Sequence, residues 1–304
     1  MIIQPELRCL QFETNTVCNA QCTMCQHSLM KRRGAMHMSR IIDLIYHFGH
    51  KVQEIIPFGM QEPLLDPRLS MILANIKQMN PAVHTLLFSN MGYFPEKQLR
   101  QIIRWGTLDL LEVSFYGTDE TVYGELQPPL NFEQTRQNIL RLMQLKRELG
   151  RTLPKVDLMM LATPRTYDKV KSWAREWQPL VDSVSSVHYD GWCGKQPYSP
   201  EIEKLLWNSP GQEVRTPCPR LWTGMYVHYD GTVVPCCLDS DDEEPLGNIF
   251  EDWNLWHTSK RLNEIRMLHE QRRFSEIPLC KDCVTWRYGC EEEWNKFWMN
   301  VPLP

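Results

Sequence analysis

The chain has 304 residues, 42% hydrophobic and 23% charged, with a net charge of −4. That length holds one large domain or two unequal ones, and so small a charge excludes a broad basic face for nucleic acid. No apolar run is long enough to cross a bilayer, and the opening MIIQPELRCLQFETN turns polar too early for a secretory signal, so a cytoplasmic, reducing compartment is expected.

From residue 9 to about 190, six short runs rich in β-branched, aromatic and other apolar residues read as buried parallel strands: CLQFE, VQEIIPF, HTLLFSN, LLEVSFYG, KVDLMMLA and SVSSVHYD. Segments with helical spacing separate them. SRIIDLIYHFGH places Ile41, Ile42, Leu44, Ile45 and Phe48 at helical intervals, and NFEQTRQNILRLMQLKREL ends on basic residues. Strand–helix repetition predicts an α/β fold with right-handed crossovers. Six units fit a partial (β/α)6 barrel of parallel strands better than a closed eight-fold one. The pattern breaks after Trp192. Residues 196–217 read as a linker with one short helix, so residues 1–195 form the barrel and 218–304 a small cysteine-rich domain. There, Asp230-Gly231 in MYVHYDGTVVPCC predicts a hairpin. DSDDEEP after it reads as a solvated loop, with a cation site as the alternative. KRRG at residues 31–34 reads as solvated, or as a steering patch for an anionic substrate.

Eleven cysteines are many for such a compartment, and clustered ones there suggest metal or redox chemistry. Cys9, Cys18, Cys22 and Cys25 lie near the start; Cys218, Cys236, Cys237, Cys280, Cys283 and Cys290 lie in the last third. Two separate sites are expected. Cys18, Cys22 and Cys25 are spaced C-x3-C-x2-C directly after the first strand, on the face where barrel enzymes build active sites. Closed zinc sites use four ligands, and a cubic iron–sulfur cluster normally takes four cysteines. Three cysteines therefore leave one iron with an open position. Zinc would need His27 or Cys9 as fourth ligand.

The loop resembles the signature of the radical S-adenosylmethionine superfamily. The resemblance implies a [4Fe–4S] cluster on Cys18, Cys22 and Cys25, and S-adenosyl-L-methionine chelating its open iron. It further implies reductive cleavage to a 5′-deoxyadenosyl radical that abstracts hydrogen from substrate. PFGMQEPLLDP resembles the family's Gly-Gly-Glu-Pro turn, with Glu62 facing the cofactor's amine; Gln61 replaces the second glycine, and Gly59 is the nearest glycine. FSNMGYF resembles its Thr-Asn-Gly turn through Ser89, Asn90 and Gly92, with Met91 inserted. VSFYG resembles its fourth-strand segment, making Ser114 a cofactor contact. Met24 stands where an apolar residue meets the adenine. Tyr116, Asp190, Trp192 and Cys193 are candidates for the substrate pocket.

The C-terminal third is similar to the SPASM and twitch auxiliary-cluster group. Cys218 and Cys236 frame C-x12-G-x4-C, Cys280 and Cys283 form C-x2-C, and LGNI and EDWNLW match as well. The resemblance implies a second [4Fe–4S] cluster on those four cysteines, with Cys237 and Cys290 spare. A zinc ribbon on the same four is the competing reading, and a zinc-binding interaction module the non-enzymatic one. For an enzyme, the family implies an external one-electron donor such as flavodoxin or ferredoxin. It also implies oxidation of a small molecule, such as a sugar or natural-product intermediate, or modification of a peptide or protein. The first strand starts by about residue 9, leaving no room for an N-terminal leader-recognition domain, which favours the small molecule.

Overall fold

A computed structural model describes residues 5–189, 191–196, 199–208 and 214–288. All six apolar runs form strands: β1 (Cys9–Phe12), β2 (Glu54–Ile56), β3 (His84–Ser89), β4 (Leu110–Ser114), β5 (Lys155–Ala162) and β6 (Ser183–His188). Neighbours in sequence are neighbours in space and all pair in parallel. The result is the expected partial barrel.

Helices cover its outer face: α1 (Met38–Phe48), α2 (Leu69–Met79), α3 (Glu96–Trp105), α4 (Glu120–Leu126), α5 (Phe132–Glu148) and α6 (Val170–Trp177). Their boundaries follow local chemistry. The His37 side chain accepts from Ser39 N–H at the start of α1, Asp119 from Val122 N–H at α4, and Asn131 from Gln134 N–H at α5. Helix α3 stops at Gly106, whose φ of +63° suits a residue without Cβ. Each strand sends alternate residues outward. Leu10 and Phe12 join Ile41, Leu44, Ile45 and Leu69 in the main core, while Cys9, Ile56 and Leu86 form a small cluster inside the barrel.

Residues 200–208 form the helix expected in the linker, α7 (Pro200–Asn208). Beyond it lie α8 (Arg220–Thr223), the hairpin strands β7 (Gly224–Val227) and β8 (Thr232–Val234), β9 (Gly247–Asn248), α9 (Leu255–Thr258), α10 (Lys260–Glu270) and α11 (Pro278–Lys281). The hairpin does not stand apart. β7 pairs in parallel with β1, giving one nine-stranded sheet in the order β6-β5-β4-β3-β2-β1-β7-β8-β9. Trp256 Nε1 donates to Gly224 O at 2.9 Å, and Trp253 stacks on His47 of α1 with centroids 4.7 Å apart. The tryptophans of EDWNLW are thus packing residues at this junction.

Two expectations are corrected. DSDDEEP is not a solvated loop: Asp239, Ser240 and Glu244 are buried. Asp239 accepts from Glu243 N–H and Glu244 N–H, Glu244 holds Arg261 in a bidentate pair, and Asp242 pairs with His228. Its carboxylates face protein donors rather than a cation. In KRRG, Lys31 and Arg33 stay exposed as expected, but the Arg32 side chain, 9% exposed, packs against fully buried Glu13, with Nη1 and Nη2 donating at 3.1 and 3.0 Å, and Arg32 Nε donates to Ser240 O. This pair ties the loop after β1 to the C-terminal region and is not free for an anionic substrate.

Candidate active site

The loop carrying Cys18, Cys22 and Cys25 leaves the C-terminal end of β1 and is fixed from several sides. Gln21 N–H donates to Pro128 O at 2.6 Å and Thr23 N–H to Leu126 O at 3.0 Å. Asn90 Nδ2 reaches Cys18 Sγ at 3.9 Å and Asn19 Oδ1 at 2.9 Å. Trp192 Nε1 donates to Met24 O at 2.7 Å. Burial pushes the Cys18 thiol up to about 11 and Cys22 up to about 12, and raises Cys25. Buried thiols of this kind ionise when a metal supplies the opposing charge.

Cys18, Cys22 and Cys25 all line one cavity of about 310 Å³, as do Met24, Gly59, Glu62, Ser89, Asn90, Ser114, Tyr116 and Trp192. The turns after β2, β3 and β4 therefore converge on the cysteine loop. Glu62 is the hub. Its Oε1 accepts from Leu64 N–H at 3.0 Å and Ser89 Oγ–H at 2.8 Å, and its Oε2 from Asn90 N–H at 2.7 Å. Burial still leaves its pKa pushed up to about 7. The departures from the family strings have local causes. Gln61 turns its amide to the loop after β1: Oε1 accepts from Thr14 N–H at 3.2 Å and Nε2 donates to Thr14 Oγ1 at 2.7 Å. Met91 takes a left-handed φ of 52° and is fully buried in the helix layer. At Gly59, a Cβ would lie 2.3 Å from Tyr226 Oη and 2.4 Å from Glu13 Cγ, so no side chain fits.

Of the two zinc alternatives one loses its fourth ligand: Cys9 sits in β1 in the cluster with Ile56 and Leu86, and is not among the residues lining the cavity. His27 lines it and donates Nε2–H to Thr16 O at 2.8 Å, which leaves Nδ1 as its acceptor nitrogen. Among the described residues no three His, Cys, Asp or Glu side chains converge as around one ion; a cluster spreads its thiolates over separate irons.

The four later cysteines meet in a second, smaller cavity. Cys218, Cys236, Cys280 and Cys283 line it together with Arg220 and His269. Cys193 lines this cavity and not the larger, substrate-side one that the sequence suggests for it, because the turn after β6 packs against the C-x2-C loop: a Cβ on Gly194 would lie 2.7 Å from Asp282 Cβ. Cys237 faces the larger cavity. Asp190 and Cys290 lie outside the described residues.

Sequence reasoning misses Gln127, Tyr226 and Gln11, which line the larger cavity. Gln127 Oε1 accepts from Tyr116 N–H at 2.8 Å and Nε2 donates to Ser114 O at 3.0 Å, fixing the fourth-strand turn. No local pattern marks it. Tyr226 has a signal in its strand, since alternate residues of a hairpin share a face.

This fold and this paired-cavity site define a class. The chain belongs to the radical SAM superfamily, whose model matches residues 12–176. An iron–sulfur cluster-binding domain of the SPASM type matches residues 218–284. It is therefore an iron–sulfur enzyme using S-adenosylmethionine, with a [4Fe–4S] cluster in the barrel and further iron–sulfur binding in the SPASM part. The residues fit these groups: three of the cysteines line one cavity, and four line another. Among solved structures, BtrN in complex with AdoMet and 2-DOIA is 18% identical, with a TM-score of 0.62 over 92% of this chain and 94% of that one. Streptococcus suis SuiB bound to precursor peptide SuiA is 14% identical, with a TM-score of 0.68 over 99% of this chain and 76% of that one. Native anSMEcpe with bound AdoMet is 17% identical, with a TM-score of 0.62 over 93% and 88%. At these identities the likeness shows the shared fold. No curated protein sequence matches significantly. No helix among the described residues is long and apolar enough to cross a membrane.

Proposed function

We propose that this enzyme oxidises a small molecule, such as a sugar or natural-product intermediate, with Cys18, Cys22 and Cys25 holding the S-adenosylmethionine-binding cluster and Cys218, Cys236, Cys280 and Cys283 the auxiliary one. Bound there, cluster and cofactor supply the hydrogen-atom abstraction of the superfamily, fed by an external one-electron donor such as flavodoxin or ferredoxin. One observation carries the reading. The larger cavity runs from Cys18, Cys22 and Cys25 to Cys237, Leu238, Val284 and Thr285, which adjoin the auxiliary cysteines Cys236 and Cys283. A molecule lodged in it lies between the two sets. After losing a hydrogen atom on one side it can lose an electron to the other and a proton to solvent, a net two-electron oxidation. Tyr116, Tyr226, Gln11 and Ser186 offer polar atoms on its walls. The SAM contacts in this reading are Met24, Gly59, Glu62, Ser89, Asn90 and Ser114. Peptide modification is the second reading, supported by the fold shared with SuiB, which was solved with its precursor peptide.

Anaerobic reconstitution should give a brown protein with about eight irons per chain, as two [4Fe–4S] clusters require. Reduced, it should release 5′-deoxyadenosine, faster with polyhydroxylated small molecules than with peptides, and yield a product two hydrogens lighter. Alanine at Cys18, Cys22 and Cys25 should abolish the release; persistence of release in that triple variant would refute the assignment. Stimulation by peptides alone would favour the second reading.

A further inference from the structure

The dipeptide Cys236-Cys237 divides between the two cavities, Cys236 on the smaller and Cys237 on the larger. Buried Arg220 serves both. Its Nη1 donates to Cys237 Sγ at 2.8 Å and to Cys236 Sγ at 3.9 Å. A guanidinium does not give up its proton inside proteins, so the charge is fixed. At the other end of the cysteine set stands a neutral donor. His269 Nδ1 accepts from Cys218 N–H at 3.2 Å, which leaves the proton on Nε2, 3.4 Å from Cys280 Sγ.

Adding one electron to a cluster adds one negative charge to a buried group. A fixed cation at a ligand sulfur stabilises the reduced form more than the oxidised one, and hydrogen bonds to the sulfurs act in the same direction. We propose that Arg220 is a positioning residue whose fixed charge raises the reduction potential of the auxiliary centre, so that an electron leaving a molecule in the larger cavity is drawn to the smaller. The second half of that statement rests on the proposed function; the potential itself does not.

The test is a dithionite redox titration of the reconstituted holoenzyme followed by electron paramagnetic resonance. The signal that S-adenosylmethionine perturbs belongs to the first centre, and the unperturbed one to the auxiliary centre. In Arg220→Gln the auxiliary centre should become about tenfold harder to reduce, which is about 59 mV for one electron, while the first centre stays put. Arg220→Lys, which keeps the charge, should retain most of the wild-type value. If Gln loses the auxiliary iron and Lys keeps it, the need for charge is supported. An unchanged auxiliary potential in a fully loaded Gln variant overturns the proposal. Equal movement of both centres, or loss of auxiliary iron in both variants, overturns it too, since Arg220 would then be a packing residue. No substrate is required, so the outcome is independent of whether a small molecule or a peptide is oxidised.

Discussion

Glu62 commits both carboxylate oxygens to its own chain, although the turn containing it faces the cavity. Its three donors come from the turns after β2 and β3, so one side chain fixes the relative placement of two loops that line the cavity. Glu62→Gln puts an amide NH₂ against either Asn90 N–H or the Leu64–Ser89 donor pair. Leaving a buried donor unmatched costs about 1–3 kcal/mol, and the urea midpoint should fall accordingly, with weaker S-adenosylmethionine binding by calorimetry. A midpoint equal to wild type would mean that these bonds are dispensable. The string Glu62-Pro63 is legible in the amino-acid sequence alone. Its partners are not, because Ser89 and Asn90 lie on another strand and only the sheet register brings them near. Gln127 is illegible for the same reason: it acts on the backbone of Tyr116 and Ser114, from a loop with no distinguishing composition.

Most of the strands that build the barrel are readable because they are largely buried and mainly apolar, β5 most of all. Two buried carboxylates, one in β4 and one in β5, interrupt that pattern and carry a consequence. Glu112 and Asp157 are register partners on adjacent parallel strands, and both are buried. Burial first, then the charges of Asp157 and Glu54, pushes the Glu112 carboxyl up to about 8 from an ordinary 4.5. The folded chain therefore holds a proton there that the unfolded chain has released. Stability from the neutral form is complete below pH 4.5, declines as pH rises, and is gone above about 8. Glu112→Gln removes the ionisation but keeps the shape. Its melting temperature should exceed that of the wild type by an amount that grows from pH 5 to pH 8. A gain that is constant across that range would show that Glu112 does not titrate between the two states.

At the scale of the molecule, the boundary that composition suggests near residue 196 is not a break in the sheet. Composition reports linkers and turn residues; it carries no information on which distant strands pair. β1 lies between β2 and β7, and the pairing with β7 is reinforced outside the strands by Glu6 N–H to Trp222 O at 2.9 Å, Arg8 N–H to Thr223 O at 2.8 Å and Glu13 N–H to Val227 O at 2.9 Å. Leu221, Trp222, Met225 and Val227 belong to the same core as Leu10 and Phe12. Buried Glu13 adds Arg32, Tyr226 Oη–H and Tyr229 N–H as partners, two of them from the hairpin. A chain ended at residue 217 would expose β1 as a flat apolar edge, the geometry that templates strand addition between molecules, and would strip Glu13 of two donors. That fragment should aggregate or elute as oligomers, even though it keeps every residue of the barrel and of the Cys18–Cys25 loop. Hydrogen exchange on the intact chain provides the complementary reading: amides of Cys9–Phe12 and Gly224–Val227 should exchange together and as slowly as the centre of β5. A monomeric fragment with β1 protected as in the whole protein would show instead that the barrel is stable without its seventh strand.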